Sequence, residues 1–349
     1  RNNKEAMNNL AIIKHEKGKN EEAINQLNEI IKIHSQYPEA YNNLGVVLKK
    51  MNKLDLAINY FQKALDIKEN YSEAMYNLGN CYKLKNKNNL AIEMLEKTVK
   101  IDKENEDAFY NLGKLYDDIG KNKKSIESYK KALILNPKFS NAYNNLAIKI
   151  NDLGDIKEAI SLYKKAIINR ADNADAYNNL GISYQEIRLI SDAIYSYKMA
   201  IKINKNYAEA HSNLAHALLL DGQYEEGWKE YEYRLEKNNP KLACHAKPKI
   251  IKKNNNIIQE NEKLLVVSEQ GLGDTLQYMR FIPHMRSQGF DVSFCAQLKL
   301  HSLIKASGID QNPLTPEQAM TVSEGQWMPL LSLARYLQIT PENPISSEP

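Results

Sequence analysis

The sequence is 349 residues long, 43% hydrophobic and 26% charged, which is long enough for two domains and apolar enough to bury cores. Lys and Arg number 47 against 43 Asp and Glu, a net charge of only +4 with the signs alternating along the chain, and this excludes the clustered basic footprint of a nucleic-acid binder. No run of about 18 apolar residues occurs and the amino end is polar, so neither a membrane span nor a secretory signal is expected and the default location is cytoplasmic. Cys81, Cys244 and Cys295 are far apart and form no Cys-x-x-Cys pair, so they read as reduced thiols. The chain opens on Arg1 and closes on Ser346-Ser347-Glu348-Pro349, and both ends read as interruptions of longer sequence.

The dominant pattern is a repeat. Asn-Leu followed by a small residue begins at Asn9, Asn43, Asn77, Asn111, Asn145, Asn179 and Asn213, every step being 34 residues. Within each unit small residues recur where two helices must approach closely: Ala23, Ala57, Ala91, Ser125, Ala159 and Ala193. Four residues further on stand Leu27, Phe61, Leu95, Tyr129, Tyr163 and Tyr197, completing an apolar helical stripe. Gly18, Asn52, Asn86, Gly120, Gly154 and Gly222 lie between the paired helices and accept the left-handed conformation that ends a helix; only Arg188 departs from this type. Seven such units over about 235 residues resemble the tetratricopeptide repeat (TPR), a helix–turn–helix unit that gains a core only by stacking on its neighbours. The expected fold is therefore a mostly α TPR solenoid over 1–236.

In that family the first helix of each pair lines a concave binding groove. Asn9, Asn43, Asn77, Asn111, Asn145, Asn179 and Asn213 occupy one position of that helix, although Asn is a poorer helix former than Ala. A side-chain amide offers donor and acceptor together, so a row of them suits the backbone of an extended peptide of any sequence. The row resembles the asparagine ladder of O-linked N-acetylglucosamine transferases, which implies a protein or peptide partner. On this reading alanine in the row should leave helicity unchanged or raise stability slightly while weakening binding; the alternative is that the asparagine is common consensus, duplicated with the unit. Glu5, Glu39, Glu73, Asp107, Asp175 and Glu209 lie in the first turns of the first helices, where the helix dipole favours negative charge.

The period fails in the seventh unit, where Gly227-Trp228 replaces Ala-Ile and Arg234 replaces a small residue. Residues 237–262 are rich in Lys, Asn and Pro and read as a linker. Beyond it the expected elements are a strand over Lys263–Glu269, a glycine turn, a helix over Thr275–Ser287, a strand over Gly289–Ala296 and a helix over Leu298–Ala306. This alternation implies parallel strands with crossover helices in a short α/β, Rossmann-like piece over 263–349. Its turn, Gly271-Leu272-Gly273-Asp274, places backbone N–H groups at a helix start, and this makes Gly271 and Gly273 candidate substrate-binding positions. Leu276 stands where a third glycine of a dinucleotide fingerprint would be, and no Gly-Lys-Ser/Thr follows, so neither nucleotide motif is complete. Asp274 also brings negative charge to the spot, and its plainest reading is a helix cap.

The string LLVVSEQGLGDTLQYMRFIPHMRSQG, the preceding Glu226-Gly227-Trp228-Lys229-Glu230-Tyr231-Glu232-Tyr233-Arg234 and the later Pro329-Leu330-Leu331-Ser332-Leu333 resemble bacterial TPR-linked glycosyltransferases of the heptosyltransferase-like GT-B type, over residues 222–349. The resemblance implies that Asp274 is the general base toward an acceptor hydroxyl. It also implies that a nucleotide-sugar donor binds mainly in a second domain, so donor binding and sugar transfer are expected only of the complete protein. The seven histidines show no metal-ligand spacing, no Gly-x-Ser-x-Gly is present, and no cofactor is called for. The reading is a TPR scaffold joined to the amino-terminal part of a glycosyltransferase-like domain, the alternative being a non-catalytic TPR adaptor.

Overall fold

The computed structural model describes residues 3–233, 249–250, 263–269 and 271–340, and it falls into two compact units, 1–176 and 177–349. In the first unit the chain forms antiparallel helix pairs: α1 (Lys4–Glu16) with α2 (Asn20–Ile33), α3 (Pro38–Lys50) with α4 (Leu54–Ile67), α5 (Ser72–Leu84) with α6 (Asn88–Ile101), α7 (Glu106–Asp118) with α8 (Asn122–Leu135), and α9 (Ser140–Asp152) with α10 (Ile156–Asn169); α11 (Ala174–Glu186) follows. The expected small residues and the large residues four positions later are buried, with Tyr129 exposed by only 1%. Glycine in the Asn-Leu-Gly triplet is explained by its partner. A Cβ on Gly113 would lie 2.5 Å from the Tyr129 ring, so the ring fills the space a side chain would need.

Between paired helices the backbone turns left-handed at Gly18, Asn52, Asn86, Gly120, Gly154, Arg188 and Gly222. Arg188, the residue that departs from the pattern in type, keeps the conformation with φ 63°. An L-residue with a Cβ costs roughly 1–2 kcal/mol there, partly offset because glycine loses more chain entropy on folding. Arg188→Gly is therefore expected to raise stability by about 1 kcal/mol, read as a higher melting temperature; an unchanged or lower one contradicts this.

Burial raises the hydroxyl pKa of Tyr71, Tyr116, Tyr129 and, in the second unit, Tyr197. Neighbouring carboxylates act in the same sense, Glu73 beside Tyr71 and Glu96 on the Tyr116 hydroxyl. A folded-state pKa above the unfolded value stabilises fully below the unfolded value and ceases to as pH rises through the folded one. Absorbance near 295 nm should accordingly show exposed tyrosines ionising around pH 10, with a later phase coincident with alkaline loss of helicity. One uniform titration with helicity intact contradicts the assignment.

The second unit continues with α12 (Ile190–Ile203), α13 (Ala208–Leu220) and α14 (Tyr224–Tyr231). His211 links α13 to α14 through Glu230, its other ring nitrogen lies 2.9 Å from the Lys205 carbonyl, and Tyr233 stacks on the ring. The remaining elements are β1 (Lys249–Ile250), β2 (Lys263–Val267), α15 (Leu272–Tyr278), α16 (Phe281–Ser287), β3 (Asp291–Cys295), α17 (His301–Ala306), α18 (Pro316–Ala319), β4 (Gln326–Pro329) and α19 (Leu333–Tyr336). The described strands form a parallel sheet in the order β1-β4-β2-β3. β2 is buried on both faces: Leu264 and Val266 join Ile282, Met285, Phe294 and Met328, while Leu265 and Val267 join Cys295, Ala319 and Trp327. This double burial is why its sequence is continuously apolar.

Three details differ from the sequence expectation. The single helix expected over 275–287 is two, α15 and α16, because the ring of Pro283 cannot follow the carbonyl of Met279 in a continuous helix. Strand β4, beside β2, was not expected; Gly325 admits it, since a Cβ there would lie 2.2 Å from the Lys263 carbonyl oxygen. The linker expected over 237–262 lies outside the described residues except for β1, whose Lys249 and Ile250 pair with Gln326 and Trp327. Helix α14 also contributes to the sheet's core: Trp228 and Tyr231 pack against it, the Trp228 indole donates to the Ile339 carbonyl at 3.1 Å, and Ser332 donates to Glu232 at 3.2 Å.

Candidate functional site

In the first unit the asparagine row lies along the first helices of the pairs, and its amides are tied to the preceding repeats. The Nδ2 of Asn43 donates to Asn8 Oδ1 at 3.0 Å and that of Asn77 to Asn42 Oδ1 at 3.1 Å. Those of Asn111 and Asn145 donate to the Tyr76 and Tyr110 hydroxyls, each at 3.2 Å. Every bond spans 35 residues, from the asparagine of one repeat to the residue before the asparagine of the previous one. The second unit repeats the arrangement in Asn213, which donates to Asn178 Oδ1 at 3.0 Å. Asn9 is exposed and Asn179 half-buried on their helices.

These acceptors went unnoticed in the sequence, although a signal was there: the residue before each row asparagine is Asn8, Asn42, Tyr76, Tyr110, Asn144, Asn178 or Ser212, and all carry an acceptor oxygen. The bonds also reverse the expectation that alanine would be neutral or better. Alanine at Asn77 would leave the fully buried Asn42 Oδ1 without this donor, a cost of about 1–3 kcal/mol against a propensity gain of about 0.7 kcal/mol at most.

Each amide nitrogen carries two hydrogens, so at Asn43, Asn77 and Asn111 one N–H remains after the cross-repeat bond, whereas Asn145 also bonds the Tyr129 hydroxyl. The Oδ1 atoms are less uniform. Asn77 Oδ1 accepts from Lys49 Nζ at 3.1 Å, Asn111 Oδ1 from Lys83 Nζ at 3.0 Å, and Asn145 Oδ1 from Asn144 at 3.3 Å. Asn42 donates to Glu73 at 3.0 Å, which gives one first-turn carboxylate a role beyond the helix dipole. Burial lowers the pKa of Lys49 and Lys83, with Lys114 adding to the effect on Lys83. A cavity of about 400 Å³ opens on this face and is lined by Tyr110, Lys114, Asp117, Tyr129 and Asn145 among others. A second, of about 560 Å³, has Leu65, Met75, Met94 and Ile101 in its lining, alongside Asp66, Glu69, Lys97 and Lys100.

In the second unit the glycine turn follows β2. Gly271 caps α15, and Asp274 is exposed in the first turn of that helix. The Asp274 carboxylate folds back over Gly271, where a Cβ would meet Oδ2 at 2.3 Å, so negative charge already covers the helix start. Around Gly273 a Cβ would meet nothing within 4 Å. The turn is braced from below: the single hydrogen of the Thr275 hydroxyl is shared between the Gly271 carbonyl and Gln297 Oε1, each 3.0 Å away, and Gln297 donates to the Glu269 carbonyl. Gln270 lies outside the described residues. Among the described residues no group of three His, Cys, Asp or Glu could hold a metal ion, and no helix is long and apolar enough to cross a membrane.

Sequence models described as tetratricopeptide repeat match residues 38–104, 106–139 and 128–161, and one described as TPR repeat matches 13–52, 151–187 and 190–226. No curated protein matches the chain. Among solved structures, pilF of Pseudomonas aeruginosa is 18% identical over 61% of this chain and 97% of its own, with a TM-score of 0.57, a likeness of fold. YrrB, described as a TPR protein with an unusual peptide-binding site, is 26% identical over 53% of this chain and 95% of its own, with a TM-score of 0.47. A MamA structure is 30% identical over 46% and 93%, with a TM-score of 0.43.

Proposed function

Since this chain belongs to the tetratricopeptide-repeat family between residues 13 and 226, we propose that its repeats hold a protein partner as an extended peptide along the first helices. The observation that carries this reading is the residual hydrogen-bonding capacity of the asparagine row. The cross-repeat bonds fix the orientation of the Asn43, Asn77 and Asn111 amides and still leave each one N–H, so three oriented donors recur one repeat apart. Orientation fixed before binding lowers the entropy lost on binding.

Asn111→Asp with Asn145→Asp separates the binding role from the structural one. A phenol hydroxyl can donate as well as accept, so Tyr76 and Tyr110 can keep the cross-repeat bonds to the new carboxylates. The outward N–H of Asn111 is lost, and at Asn145 the N–H shared with the Tyr129 hydroxyl. Peptide affinity should fall by about 0.5–1.5 kcal/mol at unchanged helicity, the worth of one hydrogen bond. Wild-type affinity in the double variant would return the row to a purely structural role.

For the α/β part the proposal is the amino-terminal half of a glycosyltransferase-like domain, with the repeats (1–236) recruiting an acceptor to the piece over 263–349. It rests on the resemblance over 222–349 and on the place of Asp274, exposed beyond the carboxyl end of β2, the edge at which parallel sheets receive ligands. Gly273, open on its Cβ side, is where an acceptor could approach, and a nucleotide-sugar donor belongs to the complete protein. The carboxylate folded over Gly271 favours a second reading, in which Asp274 serves the helix end and the whole is a non-catalytic adaptor.

A further inference from the structure

We propose that Lys49, Lys83 and Asp118 give the first-helix face of the first unit a fixed charge order, so that it selects a peptide carrying two acidic residues and then a basic one. This rests on the peptide-binding reading above and names the partner's chemistry. Lys49 and Lys83 stand one repeat apart and are held alike, each ammonium on the Oδ1 of the next repeat's asparagine. Some lysines of the unit, such as Lys85, Lys97, Lys131 and Lys149, pair with carboxylates, and others, such as Lys63 and Lys114, lie over tyrosine rings, whereas Lys49 and Lys83 are half-buried on asparagine oxygens. Each ammonium has three N–H groups and spends one on asparagine, so two remain for an anion.

Taking a charge out of water without a counter-charge is costly, and a ligand carboxylate offsets that cost. The lowered lysine pKa values express the same desolvation. Around Lys49 the titratable neighbour is the Cys81 thiol; around Lys83 they are Lys114, which opposes its charge, and Asp118, which favours it.

One repeat further along, the charge reverses. Lys83 is replaced in the 34-residue register by Asp117, which is bound by Lys149 at 2.8 Å, and next to it Asp118 is exposed. Asp152, a repeat beyond Asp118, also pairs with Lys149. A polyanion such as a nucleic acid would run from the lysines into these carboxylates, whereas a short acidic segment followed by a base matches both. Adjacent helices pack roughly 10 Å apart, which an extended chain spans in about three residues. The matching peptide therefore has two acids about three residues apart and a Lys or Arg about three further, in one chain direction.

The test pans random 12-residue displayed peptides on the full chain and on Lys49→Met/Lys83→Met, whose folding is checked by circular dichroism. The wild type should select acid, acid and base at those spacings. A synthetic peptide from the selection should bind the double variant about tenfold or more weakly, with a comparable loss when its acids are replaced by amides and as salt rises. Selected peptides without acids, or equal affinity for both proteins, overturn the proposal, as does a single-stranded oligonucleotide that binds more tightly with the same lysine dependence. If such acid-free peptides lose affinity in Asn111→Asp/Asn145→Asp, the groove reading stands and only the charge order fails; if they do not, the groove reading fails with it.

Discussion

Trp228→Ala is expected to destabilise the second unit by about 3 kcal/mol and to separate the last repeat from the sheet. Removing a large aromatic side chain from a packed site costs roughly 3–5 kcal/mol, and Trp228 is only partly buried, which places it at the low end. Its ring meets Tyr231 and Tyr278 edge-on, and its indole N–H is used by the Ile339 carbonyl, which would lose its donor. The readout is a protease site engineered within residues 251–262. After cleavage of the otherwise unaltered chain, the halves should still co-elute in gel filtration, because α14 is built into the sheet's core; in Trp228→Ala they should part. Halves that separate without the substitution contradict this.

Asp274→Asn, made in the complete protein, should lower sugar-transfer turnover by on the order of 10²–10⁴ if Asp274 is the base, the usual worth of a positioned proton acceptor. Folding should be unaffected, since Asp274 is exposed and asparagine keeps the shape. The position has one physical difficulty, because a helix start stabilises a carboxylate when an efficient base needs proton affinity nearer the working pH. The seven-residue α15 exerts little of that field. Unchanged turnover in Asp274→Asn leaves the carboxylate as a helix-end residue and favours the adaptor.

The helix pairs were legible from the 34-residue period because each buried position is set by stacking, and stacking repeats. Even Arg188, the wrong type for its turn, follows the geometry its neighbours impose. The acceptors Asn8, Asn42, Tyr76 and Tyr110 were harder to see, since amide and phenol are different residue types doing one job. Lys49 and Lys83 look like solvated charges in the sequence; what distinguishes them is the asparagine oxygen of the next repeat that holds each ammonium, which sequence does not display. In the α/β part, β2 was readable from its unbroken apolar run, whereas β4 was not: Gln326-Trp327-Met328-Pro329 is short, begins polar and ends in proline. Its place beside β2 is decided by tertiary pairing, as is that of β1 within an otherwise polar stretch.

The most direct test of the peptide-binding face is a nitrogen-15 NMR titration of the full chain with a 12-residue peptide selected on it, following the asparagine side-chain NH2 resonances. The remaining N–H of each amide should enter a hydrogen bond, so the resonances of Asn43, Asn77 and Asn111 should shift together and saturate with the affinity measured for the peptide. If those amides stay in place while shifts gather around Met75 and Met94 at the other cavity, the partner sits elsewhere and the asparagine row only holds the repeats together.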